Sequence, residues 1–147
     1  MADKSLIGRQ TAQGSVEVEK GKLKFFAKAI GETNPLYSDL AAAKDEGHKS
    51  LPIPPTFLMP LLSELRGDIQ GLMSVLEWDL GKILHAEQSF VYHQMVYAGD
   101  VLTAETHIVD VYEKKGGALQ FVVQETKVSN QHGEHVADVR NSLVHRS

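Results

Sequence analysis

The chain contains no cysteine, which removes disulfides, thiolate metal centres and a cysteine nucleophile, and suits a reducing compartment such as the cytoplasm. It carries no basic run. With 15 Lys and Arg against 19 Asp and Glu the formal charge is −4, so no nucleic-acid partner is expected. No apolar stretch reaches the roughly 20 residues that cross a bilayer, and the opening MADKSLIGRQ lacks the apolar core of a secretory signal. No membrane partner is expected, and the location reads as cytoplasmic. Repeats, low-complexity tracts and long linkers are missing too. Residues 1–147 therefore read as a single domain, long enough to bury a real core.

Proline is scarce, yet Pro52, Pro54 and Pro55 fall within four positions of one stretch, residues 51–66 (LPIPPTFLMPLLSELR). These prolines force an extended approach and leave Thr56 as the natural N-cap of a helix. Phe57, Leu58, Met59, Leu61, Leu62 and Leu65 make that helix apolar almost all round, so it belongs inside the protein. Pro60 is tolerable in its first turn, and Ser63, Glu64, Arg66 and Asp68 mark where it surfaces.

The rest of the chain supplies something to wrap it. Residues 13–18 suggest one short strand. Residues 19–30 read as a helix, with Leu23, Phe26, Ala27 and Ile30 at helical spacing and Gly31 ending it. Asn34-Pro35 marks a loop, and Ser38 or Asp39 can cap a short helix over 40–46. Residues 69–82 look irregular, with Trp78 and Leu80 packed. The period then changes to two, giving strands over 84–96, 101–112, 118–128 and 134–144 separated by turn signals at Ala98-Gly99-Asp100, 114–117 and 130–133. Leu102, Ala104, Thr106 and Ile108 line one face of the second of these strands, and Leu119, Phe121 and Val123 one face of the third. Greasy-faced antiparallel hairpins need a covering layer, and the 51–66 helix provides it. The fold class is α+β, an antiparallel sheet wrapped around one apolar helix.

Four segments taken together resemble the MaoC-like dehydratases, most closely the N-terminal MaoC-like subgroup. They are Gly31-Glu32-Thr33-Asn34-Pro35-Leu36-Tyr37-Ser38-Asp39, Pro52-Ile53-Pro54-Pro55-Thr56-Phe57, His85-Ala86-Glu87-Gln88-Ser89-Phe90-Val91-Tyr92-His93 and Ala98-Gly99-Asp100. The resemblance runs over residues 6–144. It implies the hotdog fold and, for competent members, hydration or dehydration of acyl thioesters without a cofactor or metal. Those members carry an aspartate and, five residues on, a histidine around the Asn-Pro-Leu loop; here these positions hold Glu32 and Tyr37. A His-Gly pair at the family's helix start falls on Pro55 and Thr56. The resemblance makes Glu32 and Tyr37 the degenerate catalytic positions, and Asn34, Pro55, Thr56 and Phe57 the substrate-binding ones.

Adding water across the α,β-bond of a thioester needs an acid–base pair and an N–H donor on the thioester oxygen. Tyrosine, with an ordinary pKa about 10, does not replace histidine as a base, and Glu32 reaches one methylene too far. The family's donor is a backbone N–H at the helix start. Thr56 keeps one, and Pro55 has none to give. Among the histidines, His85 and His93 share strand parity but sit some 26 Å apart at about 3.3 Å per residue, so they cannot hold one metal. His132 and His135 flank a turn and read as solvated, His48 as a loop histidine, and Gln88, Phe90 and Tyr92 as one packed strand face. Lys44, Lys49, Lys114 or Lys115 would meet a carrier phosphate.

Four functions remain open at this point. One is a subunit of an (R)-specific enoyl-thioester hydratase or 3-hydroxyacyl dehydratase, shaping the acyl tunnel beside a histidine-bearing hotdog partner. Another is a self-sufficient homodimeric hydratase. A third is a non-catalytic acyl-CoA binding module, and a hotdog thioesterase ranks last because Glu64 lies at the surfacing end of the helix. The ligand in each is an acyl-CoA or acyl-carrier-protein thioester, and the assembly is a homodimer or heterodimer.

Overall fold

The computed structural model describes residues 2–65 and 69–147. Five strands make one antiparallel sheet: β1 (Gln10–Glu17), β2 (Ile83–Tyr92), β3 (Val101–Lys114), β4 (Leu119–Ser129) and β5 (His135–Arg146), in the order β1-β3-β4-β5-β2. Among the described residues the α-helices fall between β1 and β2: α1 (Lys20–Ala29), α2 (Leu40–Asp45), α3 (Leu58–Leu62) and α4 (Ile69–Leu76), with a 3-10 turn at Pro35–Tyr37. This segment lies over one face of the sheet. Leu58, Leu61 and Leu62 of α3 share a core with Leu102, Ala104, Val128, Val136, Ala137 and Val139. A second cluster gathers Leu72 of α4 with Ile108, Val111, Val122 and Leu143. The sheet-around-a-helix expectation holds.

Several local expectations need correction. The helix of residues 51–66 has shrunk to five residues, and Phe57, not Thr56, is its N-cap, without a side-chain cap. The Phe57 N–H donates to the Pro54 carbonyl at 2.9 Å, so the chain enters by a tight turn that needs no capping hydroxyl. Arg66 and Asp68 lie outside the described residues. Residues 69–82 are not irregular: α4 takes the first eight of them, and Gly71 had masked its helical spacing. Trp78 does pack, stacked on His145 with ring centroids 5.2 Å apart, but Leu80 is 63% exposed. Ile30 is exposed as well, because α1 has ended one residue earlier. β1 begins at Gln10, three residues before the expected start, because its partner β3 extends far enough to pair with it.

The largest error concerns β4. The core-facing set is Val122, Gln124, Thr126 and Val128, the opposite parity to Leu119, Phe121 and Val123. Phe121 instead stacks on Tyr112 of β3 at 4.7 Å, and Lys114 lies over both rings. The pairing sets this parity: Val128, Thr126 and Gln124 lie opposite Ala104, Thr106 and Ile108, and a register shift between Ile108 and Asp110 in β3 then brings Tyr112 opposite Phe121. Even-numbered residues up to Ile108 face the helices; beyond the bulge Val111 does, and Tyr112 turns outward.

Close approach of α4 to β1 explains Gly71. A methyl group there would overlap the backbone carbonyl oxygen of Thr11. Gly→Ala within a helix normally stabilises by roughly 1 kcal/mol. At this position Gly71→Ala should have the opposite sign, costing about 1–3 kcal/mol in urea unfolding through overpacking. A raised urea midpoint would mean that α4 does not press on β1.

Candidate functional site

The approach to α3 is a strap pinned on both sides. Leu51, Pro52, Ile53 and Pro54 are buried. The Ile53 N–H donates to Val96 O at 3.0 Å and the Ala98 N–H to Leu51 O at 2.8 Å, with an isolated bridge between Pro52 and Tyr97. Prolines suit the strap because its unpaired positions need no donor. Asp100, the last residue of the Ala98-Gly99-Asp100 turn, is buried and fully used: Oδ2 accepts from the Tyr97 N–H at 2.9 Å and Oδ1 from Gln131 Nε2 at 3.0 Å. Its task is to hold the turn against which the strap rests. His48 belongs to the same assembly, with Nδ1 3.1 Å from the Tyr97 hydroxyl, while Lys49 lies over the Tyr97 ring.

Where the strap turns into α3, the Tyr92 hydroxyl donates to the Pro55 carbonyl at 2.6 Å. Burial holds the Tyr92 phenol above its ordinary pKa, so it remains a donor. The next N–H, that of Thr56, has no acceptor among the described residues, and Thr56 is exposed. A single helical turn contributes little dipole, so what this helix start offers is the backbone N–H itself. Phe57 is buried and packs on Phe26 of α1 with centroids 5.2 Å apart, which sets the helix start against the element that leads into the Asn34 loop.

That loop is wired for shape. Glu32 Oε1 accepts from the Asn34 N–H at 2.9 Å, and Asn34 Oδ1 accepts from the Leu36 N–H at 3.1 Å. Asn34 caps the 3-10 turn, Pro35 occupies its first position and half-buried Tyr37 closes it. Among the described residues no hydrogen bond or ring contact joins Glu32 to Tyr37, or either of them to Thr56. Of the positions singled out from the sequence, Pro55, Thr56 and Phe57 stand together at the helix start, and Glu32, Asn34 and Tyr37 in the loop that follows α1.

A cavity of about 250 Å³ runs beside α3 and α4, between them and the sheet. Met59, Leu62 and Leu72 give it apolar wall, and His85, Gln88, Gln124, Thr126 and Asn141 give it polar wall. Its buried polar groups are paired: Gln124 Nε2 donates to Thr11 Oγ1 at 2.6 Å, and the Thr106 and Thr126 hydroxyls lie 2.7 Å apart. Gln88 bonds His85 Nε2 at 3.0 Å and the Arg140 carbonyl at 3.3 Å. Sequence reasoning missed Gln124 and Thr126 because the parity of β4 was inverted. Their alternation with Val122 and Val128 was the available signal. Tyr92 was read only as packing; its terminal hydroxyl was the overlooked clue. Lys114 and Lys115 sit at the β3–β4 turn, the far end of β3 from Asp100, and so away from the helix start.

The family model described as "FAS1-like, dehydratase domain region" matches residues 5–139. A UPF0336 protein of Thermobifida fusca (strain YX) is 35% identical over 131 residues, spanning 88% of this chain and 84% of that protein. Among solved structures, the C-terminally truncated HadBC (3R-hydroxyacyl-ACP dehydratase) complex from Mycobacterium tuberculosis superposes with a TM-score of 0.79 at 26% identity, covering 95% of this chain and 98% of that one. A MaoC-like dehydratase superposes with a TM-score of 0.86 at 21% identity, covering 98% of this chain and 43% of that one.

Tyr92→Phe keeps the ring and removes the bond to Pro55. It should lower stability by about 1 kcal/mol, a typical net value for one hydrogen bond. Because the phenol is raised in the folded state, its stabilising contribution is complete below the unfolded value near 10 and fades as pH rises beyond it. Urea midpoints of the parent should therefore fall above about pH 10, and Tyr92→Phe should fall less. Parallel pH profiles for the two proteins would contradict the donor role of the Tyr92 hydroxyl.

Proposed function

The chain belongs to the FAS1-like dehydratase domain region family and has the hotdog fold of the MaoC-like dehydratases, and from that premise we propose that residues 1–147 act as one domain, a subunit of an (R)-specific enoyl-thioester hydratase or 3-hydroxyacyl dehydratase. The subunit shapes the acyl site and offers the Thr56 N–H to the thioester oxygen, while a histidine-bearing hotdog partner supplies the acid–base pair. The observation that carries this reading is the state of the Asn34 loop. Glu32, at the expected acid position, spends its carboxylate on the Asn34 N–H, and the expected histidine position holds Tyr37. The loop's shape rests on its own backbone bonds, and no group of ordinary near-neutral pKa stands in it.

The division of labour follows from the chemistry. Hydration places hydroxyl on the β-carbon and a proton on the α-carbon of the enoyl thioester, through a transition state with negative charge on the thioester oxygen. A fixed backbone donor stabilises that charge without needing a particular side chain. Proton movement does need one, and matched acid–base help supplies about a hundred- to ten-thousand-fold. The cavity beside α3 fits the acyl chain: Met59, Leu62 and Leu72 receive methylenes, and the paired polar groups need nothing from the ligand. The resemblance to one chain of a two-component complex supports a heterodimer for this protein too.

Purified alone, the chain should hydrate crotonyl-CoA or a longer enoyl-CoA at a rate lower than a complete enzyme by at least about a hundredfold. Mixing with a histidine-bearing hotdog subunit should restore turnover and give one eluting complex. The paired change Glu32→Asp with Tyr37→His should give the lone protein measurable activity. Strong hydration by the unmodified chain, lost in Glu32→Gln, would sink the subunit reading in favour of a self-sufficient homodimer. Tight acyl-CoA binding rescued by neither partner nor substitution would leave a binding module.

A further inference from the structure

Three donor groups outside the helix-start site converge at the edge of the sheet. His93 directly follows β2, and its N–H donates to Val136 O at 2.8 Å; His135 and Asp138 lie three apart on β5. The register sets Val91 of β2 opposite Asp138, which brings His93, two residues on, to the same face. His93 Nε2 is 2.8 Å from Asp138 Oδ2, and His135 Nε2 is 2.8 Å from Asp138 Oδ1. The ring centroids are 4.5 Å apart at 47°. The expectation that His135 is simply solvated therefore fails.

We propose that His93, His135 and Asp138 form a binding site for one divalent transition-metal ion of the zinc, nickel or copper class. The ligating atoms of the three already lie within 4.8 Å of one another. Tetrahedral coordination at about 2.1 Å separates donors by about 3.4 Å, so modest ring rotation closes the set. Each imidazole would give its Nε2 lone pair and carry its proton on Nδ1, so a neutral ring releases no proton. Asp138 gives one oxygen, and the solvent side leaves a fourth position for water. The backbone pre-arranges the set: His135 and Asp138 stand on β5, and His93, one residue beyond β2, is held beside them by its N–H bond to Val136 O.

Two features bear on selectivity. Two of the three donors are imidazole nitrogens, which suit borderline metals; calcium and magnesium require six or more oxygen ligands or several retained waters. The neighbouring cations Lys127, opposite Asp138 in the β4–β5 register, and Arg140, two residues along β5, also disfavour a purely electrostatic cation site. Lys127 makes no ion pair with Asp138 among the described residues; the carboxylate is turned to the histidines.

The test uses the full chain without an affinity tag. Titration with Co²⁺ should develop visible d–d absorption saturating at one ion per chain, and Zn²⁺ should displace it and raise the thermal midpoint. His93→Ala, His135→Ala and Asp138→Asn should each weaken binding at least about tenfold, whereas His132→Ala should not. Mg²⁺ should do nothing. Should the variants unfold, Ni²⁺ broadening of histidine ring signals in the parent protein decides the matter: His93 and His135 should broaden first. Absence of Co²⁺ bands, binding indifferent to all three variants, or broadening centred on His132 would overturn the site.

Discussion

A strand has period two, and every face assignment in this protein hangs on that constraint. One extra residue turns everything after it to the other side of the sheet. β3 contains such an extra residue between Ile108 and Asp110, and the sheet is continuous because β4 pairs through the shift. Similar shifts occur in β1 between Gln10 and Ala12 and in β2 between His85 and Glu87. The bulge in β1 buries both Thr11 and Ala12, and Thr11 thereby meets Gln124 across the core. The polar wall of the cavity is thus a product of where the strands slip.

The same constraint explains what could be read in the chain beforehand. The even-numbered face of β3 was legible from Leu102 to Ile108 because no irregularity interrupts it. The face of β4 was not: Phe121 and Leu119 look like core residues, yet Gln124 opposite Ile108 sets the even-numbered side inward, and the shift in β3 turns Tyr112 outward to cover Phe121. Apolar identity says that a side chain seeks cover; it does not say that the cover is the core. Residues 51–66 show the converse. Their destination was plain from composition, but helix length was overestimated, because Pro54 and the turn it accepts from Phe57 consume the residues that would have formed the first turn.

The candidate site separates what a motif preserves into shape and chemistry. Asn34, Pro35 and Asp39 each do a local backbone job: Asn34 and Asp39 cap turns, and Pro35 sets φ at the start of one. Those jobs survive any change at the acid–base positions. Asp100 is similar, a buried carboxylate whose two oxygens are absorbed by the Tyr97 N–H and Gln131. Conversely, Tyr92 reaches the Pro55 carbonyl through one terminal oxygen, a contact invisible to any pattern of apolar and polar residues. His135, read as solvated, was misjudged for a related reason: the pattern along one strand does not show that the antiparallel partner β5 brings His135 and Asp138 alongside His93.

Strand order has a consequence for the order of synthesis. β2 has a single sheet neighbour, β5, and β1 has a single neighbour, β3, although the whole helical layer is made between β1 and β2. When α3 and its strap leave the ribosome, Leu58, Leu61 and Leu62 have no sheet to lie on. Their partners Leu102, Val128 and Val139 follow some 40 to 80 residues later, which at about 5–20 residues per second is a wait of several seconds. For that interval Leu58, Leu61 and Leu62, all buried in the folded protein, stand uncovered. Elongation speed, and whatever chaperone stands at the tunnel exit, therefore become determinants of yield for this topology.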